Sequence, residues 1–360
     1  MSSEEQRLAP LRQRIDQIDR ELLDLLSQRA HVALEVGQVK HETGAPVFRP
    51  EREKQVIEKL SNANKGPLKN ESIASIWLEI MSGCRAIEAA QKVAYLGPVG
   101  TFSEQAAFKM FGRSIEALPC ITLDEVFRTV EAGQAEFGIV PVENSSEGAV
   151  SRTLDLLLDS PLKICGEIAI PIRHHLLTQS GSLDGVEQVF GHAQALAQCQ
   201  QWLNLHVPNL QRHAVSSNAE GALQASKNPK IAAIAGDAAQ LAYGLQVASA
   251  EIQDDAHNRT RFVLIGKKAC TPTGKDQTSL VLSVANEAGA VYRLLSPLAK
   301  HGVSMSRLES RPARKGTWEY HFYIDIEGHV SEPKVARALE ELQSVSAFYK
   351  CLGSYPKGSI

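Results

Sequence analysis

The chain has 360 residues, of which 43% are hydrophobic and 22% charged, and its formal net charge is -3 at pH 7. This length allows roughly two or three domains with hydrophobic cores. The near-neutral charge, without basic blocks interleaved with aromatic residues, argues against a nucleic-acid or membrane surface. The polar N-terminus and the lack of a long apolar segment predict a cytoplasmic protein, and six scattered cysteines without a CxxC pair predict reduced thiols and no metal site.

Residues 1–91 are predicted to form an all-helical domain. Apolar residues recur at spacings of three and four between about residues 8 and 41, which predicts one long helix with a single apolar seam. Two shorter helices are expected over 50–62 and 71–91. Because neither can cover the long seam alone, we expect the long helix of a second copy to complete the core. The pattern therefore predicts a homodimer, or a higher oligomer.

A positive charge interrupts this seam at Arg29. An unpaired buried charge is costly, so the guanidinium must meet a partner. Lys40 lies on the same face of the helix, about 20° away around its axis, so both cations can converge on one dianionic ligand. Glu88, on the apolar face of the third helix, offers the alternative, which is an ordinary buried ion pair between Arg29 and Glu88.

Residues 8–91 resemble the all-helical chorismate mutase family. The resemblance rests on Leu11-Arg12-x-x-Ile15-Asp16, Arg29, Glu35-Val36-Gly37-x-Val39-Lys40 and Pro46-Val47-Phe48-Arg49-Pro50-Glu51-Arg52-Glu53. The reaction of that family is a pericyclic rearrangement of chorismate to prephenate, which requires no cofactor, general base or nucleophile. Catalysis then consists of holding the near-attack conformer and stabilising the negative charge that builds on the ether oxygen.

The same resemblance implies a role for each matching side chain. Arg29, together with Arg12 of the partner subunit, would hold the two carboxylates of chorismate, and Arg52 would support a carboxylate. Lys40 would reach the ether oxygen of the bond that breaks. Glu53 would meet the ring hydroxyl.

Two positions of this expected site depart from the family's common pattern. Glu88 stands where many relatives have Gln, and Cys84 stands where many have Ser. An amide donates a hydrogen bond to the ether oxygen at any pH, whereas a carboxyl group donates only when it is protonated. Glu88 is therefore expected to make the mutase rate depend on pH, and Cys84 to weaken a minor contact.

Residues 92–268 alternate between predicted strands and helices, which indicates an α/β domain. The order of elements predicts two lobes, with the chain crossing between them near residue 170 and returning near 255. Loops from a strand into a helix bind anions through backbone amides, and three such loops are expected to face one cleft. A solute-binding protein without chemistry is the alternative for this architecture. The three loops are 97–103, 143–148 and 216–219.

A further stretch, Asn258-Arg259-Thr260-Arg261-Phe262, stands at the start of an apolar strand. Arg261 can bind a carboxylate with two parallel hydrogen bonds, and Thr260 beside it can donate or accept a proton. The pair suits a small anionic substrate with a leaving hydroxyl group. The alternative is an edge strand that carries a surface ion pair.

Residues 93–266 resemble prephenate dehydratase through four loops together. The matching residues are Gly97-Pro98-x-Gly100-Thr101-Phe102-Ser103, Val140-Pro141-Val142-Glu143-Asn144-Ser145, Ser216-Ser217-x-Ala219 and Thr260-Arg261-Phe262. Prephenate loses carbon dioxide and hydroxide as its ring becomes aromatic, so the enzyme must protonate the hydroxyl group and hold the carboxylate. The resemblance gives the proton-donating role to Thr260, supported by Arg261. It implies substrate contacts for Thr101, Ser103, Asn144, Ser145, Ser216 and Ser217.

Threonine is a poor acid unaided, so a relay through water or a neighbouring group is expected. The sequence does not identify this relay. His174, His175 and His257 are interpreted as structural, because a lone histidine in such a position more often has that role.

Residues 277–355 follow a polar linker with Pro272 and Gly274, and their predicted order is βαββαβ, the ferredoxin-like arrangement. They resemble the ACT regulatory domain. The resemblance implies that L-phenylalanine binds at a subunit interface and inhibits the dehydratase; the alternative is a bare dimerisation module. The matching residues, which are the expected phenylalanine site, are Gly289, Ala290, Val291, Glu309, Ser310, Arg311 and Pro312.

The three resemblances together predict a multidomain protein with an all-α mutase domain, a two-lobed α/β dehydratase domain and an α+β ferredoxin-like domain. The expected function is bifunctional: an isomerase converts chorismate to prephenate, and a lyase converts prephenate to phenylpyruvate. No cofactor is expected. An arogenate-preferring dehydratase and a non-catalytic sensor of aromatic precursors are the competing hypotheses.

Overall fold

The computed structural model describes residues 3–43, 47–284, 287–312 and 320–358. Pro46 of the mutase motif and Trp318, the expected start of a strand, lie outside these ranges. The chain divides into two compact units, one comprising Met1–Gln91 with Phe111–Glu116 and the other comprising the remaining residues.

The first unit contains three helices, as the apolar periodicity predicts. They are α1 (Ser3–Thr43), α2 (Pro50–Ala63) and α3 (Asn70–Glu88). Helix α3 packs against both α1 and α2. The apolar seam of α1 stays uncovered within one chain: Leu11 is 57% exposed, Leu25 59% and Val39 58%. Removing such side chains from water stabilises a protein by about 1.5–3 kcal/mol each, so a second surface would have to cover the seam for these residues to contribute.

The second unit holds three sheets and nine helices among its described residues. Its elements, in chain order, are β1 (Lys92–Leu96), α4 (Phe102–Phe111), β2 (Glu116–Cys120), α5 (Leu123–Glu131), β3 (Phe137–Asn144), β4 (Gly148–Ala149), α6 (Ser151–Asp159), β5 (Lys163–Pro171), β6 (His175–Thr178), β7 (Gln188–His192), α7 (Ala193–Gln198), α8 (Gln200–His206), β8 (Gln211–Val215), α9 (Asn218–Lys227), β9 (Ile231–Ala235), α10 (Asp237–Tyr243), β10 (Gln246–Ser249), β11 (Arg259–Gly266), β12 (Asp276–Ser283), α11 (Ala290–Lys300), β13 (Met305–Pro312), β14 (Tyr320–Glu327), α12 (Pro333–Val345) and β15 (Phe348–Pro356).

Two of the sheets form the predicted lobes. The first has the order β2-β1-β3-β11-β5, and the second has the order β10-β6-β9-β7-β8. The predicted crossing and return are confirmed, because β5 ends at Pro171 and β11 re-enters the first sheet at Arg259. Strands β5 and β6 follow each other closely in the chain but belong to different sheets. Residues 172–174 join them and lie between the lobes.

Strand β11 lies in the interior of its sheet, antiparallel to β3 on one side and to β5 on the other. The edge-strand alternative for residues 258–262 is therefore wrong. The residues from Phe262 to Ile265 are almost fully buried, as their unbroken apolar sequence requires. Because β11 pairs on both sides, its register is fixed at its start, where the predicted catalytic residue Thr260 lies.

The third sheet has the order β13-β14-β12-β15, and α11 and α12 pack against each other. This order and the βαββαβ succession are those of the predicted ferredoxin-like fold. Strand β15 also packs against β5 of the first lobe. Strand β13 is an edge strand, and along it Met305 is 38% exposed and Leu308 42% exposed.

Candidate active sites

The helical unit pairs four of the side chains expected at the chorismate site, Lys40 with Glu88 and Arg29 with Cys84. The ammonium nitrogen Nζ of Lys40 lies 3.2 Å from each carboxylate oxygen of Glu88 and donates to the carbonyl oxygen of Val47 at 3.0 Å. Nη1 of Arg29 lies 2.9 Å from Sγ of Cys84. The alternative ion pair between Arg29 and Glu88 does not form, since Glu88 pairs with Lys40. Among the described residues, the Arg29 guanidinium has no carboxylate partner.

A glycine allows this arrangement. A Cβ atom on Gly37 would lie 2.5 Å from Cγ of Glu88. Any other residue at position 37 would therefore displace the Glu88 side chain, and with it the carboxylate next to Lys40. The Glu35-Val36-Gly37-x-Val39-Lys40 motif thus includes both the cation and the space for its partner.

Glu53 forms an ion pair that the sequence did not suggest. Its carboxylate pairs with the buried guanidinium of Arg85, which also donates from Nε to Oε1 of Gln91 at 3.0 Å and lies 5.1 Å from the ring centre of Phe48. Burial raises the pKa of Glu53, and the charges of Arg85, Lys40 and Arg29 oppose that shift. Arg85 lies on the buried face of α3. A charged residue on that face was the available signal in the sequence, as Arg29 within the apolar seam was in α1.

Arg12 and Arg52 are both exposed. Arg12 lies on the same helix as Arg29 but 17 positions earlier, which is about 25 Å along the axis at 1.5 Å per residue. The two guanidiniums of one chain therefore cannot bind the same small molecule.

In the α/β unit, one cleft between the two lobes collects most of the predicted dehydratase residues. Its cavity volume is about 420 Å³. Six of the predicted residues line it: Thr101, Ser103, Asn144, Ser216, Ser217 and Thr260. Ser145 and Arg261 are not among the lining residues.

Thr260 is held by Asn144 across two neighbouring strands. The two residues are register partners on β11 and β3, so their side chains lie side by side on the same face of the sheet. Oδ1 of Asn144 accepts from the backbone N–H groups of Ser146 and Glu147, at 3.0 and 3.1 Å. Since a backbone N–H can only donate, Nδ2 of Asn144 must donate to Oγ1 of Thr260, at 2.8 Å. The hydroxyl proton of Thr260 therefore remains available to another acceptor.

The same deduction extends from Asn144 to a histidine. Nδ2 of Asn144 also donates to Oδ1 of Asn258 at 2.9 Å, so Nδ2 of Asn258 donates to Oε1 of Gln198 at 3.1 Å. That oxygen lies 3.0 Å from Nε2 of His174, which must carry the proton. The chain of hydrogen bonds thus runs from Thr260 to His174 with every direction fixed.

His174 is 2% exposed, and it lines the cleft. Burial lowers the pKa of His174, and so does neighbouring His175, while the bond to Gln198 opposes the shift. Nδ1, the acceptor in a neutral ring protonated at Nε2, has no hydrogen-bond partner among the described residues. His174, interpreted from the sequence as structural, therefore lies at the cleft and at the end of this hydrogen-bond chain. Its position after a strand, at the crossing between lobes, was the only signal in the sequence.

The described residues that line the cleft include no lysine and no arginine. Helix N-termini can supply positive potential there: among them, α4 begins at Phe102 and α9 at Asn218, and both residues line the cleft. Unpaired backbone N–H groups and the helix dipole favour anions at such positions. The cleft can therefore hold a small anion between two helix ends and several hydroxyl groups.

Ser145 and Arg261 have other partners. Oγ of Ser145 accepts from the backbone N–H of Arg259 at 2.9 Å and so ties β3 to the start of β11. Arg261 points to the opposite face of the sheet from Thr260, because successive strand residues alternate. Its guanidinium lies 2.7 Å from Glu167 and 2.6 Å from Asp325. The placement corrects the expectation that Arg261 binds the substrate.

The predicted phenylalanine site lies on two elements of the C-terminal sheet domain. Gly289, with φ of 76°, precedes α11, where Ala290 is buried and Val291 is 40% exposed. The residues from Glu309 to Pro312 lie on the exposed edge strand β13. Arg311 instead reaches the first lobe, where Nη1 lies 2.9 Å from a carboxylate oxygen of Asp155.

Comparisons with known proteins agree with this division. Residues 11–89 match the family model for chorismate mutase type II, 93–270 that for prephenate dehydratase, and 278–343 that for the ACT domain. A bifunctional chorismate mutase/prephenate dehydratase of Stutzerimonas stutzeri is 46% identical over 364 residues, with 99% of this chain and 100% of the relative covered. One from Neisseria gonorrhoeae is 48% identical over 352 residues, with 97% of each covered. A solved prephenate dehydratase from Arthrobacter aurescens, in complex with L-Phe, is 34% identical with a TM-score of 0.68, over 74% of this chain and 90% of that one.

The cations Arg29 and Lys40 of the helical unit, the cleft between the two lobes and the ferredoxin-like sheet together define a multidomain enzyme that acts on small anions. The chain belongs to the family of bifunctional chorismate mutase/prephenate dehydratases. It has both activities of that name and takes part in phenylalanine biosynthesis. Among the described residues, no helix is long and apolar enough to cross a membrane, and no group of three or more potential ligands is placed to hold a metal ion.

Proposed function

We propose that Thr260 donates the proton to the departing hydroxyl group of prephenate. The observation that carries this role is the fixed direction of the bond from Asn144, which uses a lone pair of Oγ1 and leaves the threonine proton free. The N-termini of α4 and α9 would bind the substrate carboxylates, with Thr101, Ser103, Ser216 and Ser217 orienting them.

The series of hydrogen bonds from Asn144 through Asn258 and Gln198 to His174 makes this site rigid. Amide groups do not pass protons readily, so Asn258 and Gln198 act by fixing the orientation of Asn144. Ser145 contributes indirectly, since it holds the backbone of Arg259 next to Thr260. A preorganised donor avoids the cost of reorientation in the transition state.

The proton-donor role is tested with two variants of similar size. Thr260→Val keeps the shape and removes the hydroxyl group, and Thr260→Ser keeps the hydroxyl group. We expect loss of prephenate turnover in the first, by about 100-fold or more as for other general acids, and retention of most activity in the second. Near-parent turnover by Thr260→Val would assign the donor elsewhere.

We propose that the helical unit binds chorismate at a site shared between two protomers. Arg29 and Arg12 of the partner subunit would hold the two carboxylates, and Lys40 and Glu88 would contact the ether oxygen. The uncovered seam of α1 and the axial separation of Arg12 from Arg29 support a homodimer. The remaining assigned contacts are Arg52 to a carboxylate, Glu53 to the ring hydroxyl and Cys84 beside Arg29.

Subunit mixing tests the shared mutase site. Arg12→Ala and Arg29→Ala should each abolish mutase activity, because each removes one clamp from both sites of the dimer. After exchange of subunits in an equal mixture, half of the molecules are heterodimers with one intact site of two, so about a quarter of the parent activity should return. No return, with subunit exchange shown by mass, would rule out a site that combines Arg29 of one protomer with Arg12 of its partner.

We propose that L-phenylalanine binds the C-terminal domain and inhibits the dehydratase. The residues 289–291 and 309–312 would form the site with a second copy, since β13 is an exposed edge strand. The Arthrobacter aurescens dehydratase was solved with L-Phe, which supports this choice of effector. Calorimetry on the intact protein tests phenylalanine binding, and absence of binding would leave the C-terminal domain as a dimerisation module.

The expected location of the protein is the cytoplasm.

A further inference from the structure

Four charged residues from two sheets meet behind Asn144 and Thr260, on the side of the first-lobe sheet away from the cleft. Arg261 follows Thr260 on β11, and Glu143 precedes Asn144 on β3; the two are register partners. On the C-terminal sheet, Arg307 of β13 and Asp325 of β14 are also register partners. We refer to these four residues as the charge cluster.

The two pairs meet with opposite charges in contact. Nη1 of Arg261 lies 2.6 Å from Oδ2 of Asp325, and Nε of Arg307 lies 2.6 Å from Oε2 of Glu143. Asp325 is 5% exposed in its side chain and Arg261 is 17% exposed. Charges removed from water in this way fix their partners' positions strongly, because a lost partner leaves an uncompensated buried charge.

Arg261 is held from several directions. Its Nε and Nη2 contact Oε2 of Glu167 at 2.8 and 2.7 Å, and Nη2 also donates to the hydroxyl oxygen of Tyr355 on β15 at 3.0 Å. Two of its three partners, Asp325 and Tyr355, thus belong to the C-terminal domain. Nη2 of Arg307, by contrast, is buried and has no hydrogen-bond partner among the described residues. The guanidinium of Arg261 is therefore hydrogen-bonded on every nitrogen, whereas that of Arg307 keeps one buried donor without a partner among the described residues.

We propose that the charge cluster positions the Asn144–Thr260 pair, so that the C-terminal domain completes the dehydratase site through Arg261. Each cluster residue on the first lobe is one peptide unit from a cleft residue, and a shift of either strand moves both faces together. Strand β13 also carries Ser310, three residues after Arg307, so a ligand at the expected phenylalanine site acts on the same strand. The inference rests on the role proposed for Thr260.

The test uses Asp325→Asn, which keeps size and leaves Arg261 paired with Glu167. We expect kcat of the dehydratase to fall by about 10- to 100-fold, the order that a displacement of about 1 Å causes. KM for prephenate should change little, because Arg261 does not touch the substrate, and mutase activity should be unchanged. Arg261→Lys should restore part of the rate that Arg261→Met loses, since it keeps the charge. The concentration of phenylalanine needed for half inhibition should also change in Asp325→Asn.

A matched control perturbs the same two domains elsewhere. Nζ of Lys350 on β15 donates to the carbonyl oxygens of Leu157, Leu158 and Ser160, away from β3 and β11. Lys350→Gln should leave dehydratase kcat within about twofold of the parent, a change too small to assign to transition-state contacts. An equal loss in Lys350→Gln would show that any loosening of the domains lowers the rate, and would overturn the specific role of the cluster.

A double variant separates this inference from the role of Thr260. If Asp325 acts through Thr260, the losses in Asp325→Asn and Thr260→Val should not add, because the placement of the hydroxyl group no longer matters once that group is removed. Additive losses, or an unchanged kcat in Asp325→Asn, would overturn the inference while Thr260 keeps its role. Full activity in Thr260→Val would instead remove the proposed role itself.

Discussion

Replacing His174 tests the chain of hydrogen bonds that leads to Thr260. His174→Leu removes the Nε2–H donor and leaves Oε1 of Gln198 with one partner instead of two. A lost hydrogen bond between neutral groups costs about 0.5–1.5 kcal/mol, and if the transition state bears that cost, at about 1.4 kcal/mol for each factor of ten the dehydratase kcat should fall by about 2- to 12-fold. His174→Gln places an amide donor near the position of Nε2, so it should retain a larger share of the rate.

The pH dependence of stability provides a second readout. Burial lowers the pKa of His174, so the unfolded chain takes up a proton before the folded protein does as the pH falls. The stability associated with a neutral His174 is therefore complete above the ordinary histidine pKa of about 6.5 and decreases below it. His174→Gln should unfold with a weaker dependence on pH between about 6.5 and 5 than the parent.

The assay follows phenylpyruvate formation from prephenate, with the rate without enzyme subtracted at each pH. Mutase activity, measured on the same samples, reports on general unfolding. The contradicting result is a His174→Leu variant that keeps the parent kcat while its unfolding midpoint falls. That result would show that the hydrogen bonds from Asn144 to His174 stabilise the fold and do not position Thr260.

Three further predictions concern the helical unit and the C-terminal domain. Glu88→Gln should keep most mutase activity and Glu88→Ala should lose it, because an amide at this position can still donate a hydrogen bond to the ether oxygen and a methyl group cannot; equal rates in the two variants would exclude the contact. Gly37→Ala should gain about 1 kcal/mol of helix propensity yet lower mutase activity, because the added Cβ would lie 2.5 Å from Cγ of Glu88; unfolding and mutase assays check it, and unchanged kcat would show that Glu88 can move freely. Gly289→Trp or Ser310→Ala should weaken inhibition of the dehydratase by phenylalanine without changing its rate in phenylalanine's absence, and inhibition curves identical to the parent's would place the effector elsewhere.

The order and type of the main elements could be predicted from the sequence, because their signals are local. The three-and-four spacing in α1, the strand-to-helix loops and the alternation in the C-terminal domain each depend on neighbouring residues. The stretch 162–177 was harder, since its sequence does not reveal that β5 and β6 join different sheets. Only the three-dimensional contacts of the two halves distinguish them.

The site could be predicted where a motif places polar groups next to one another, as with Thr260 and Asn144. The prediction failed at Arg261, because adjacent strand residues point to opposite faces of the sheet and the sequence did not show which face lines the cleft. His174 and Arg85 were missed for a related reason. Their roles come from partners far away in the chain, Gln198 and Glu53, and no local spacing reports such contacts.

The central claim is that two separate sites act in succession, one in the helical unit and one in the α/β cleft. The most direct measurement gives purified protein chorismate and follows prephenate and phenylpyruvate with time, for the parent, Thr260→Ala and Arg29→Ala. The parent should form phenylpyruvate through prephenate, and Thr260→Ala should accumulate prephenate at the parent mutase rate. Arg29→Ala should leave chorismate unchanged but still convert added prephenate. Loss of both activities in either folded variant would contradict the account.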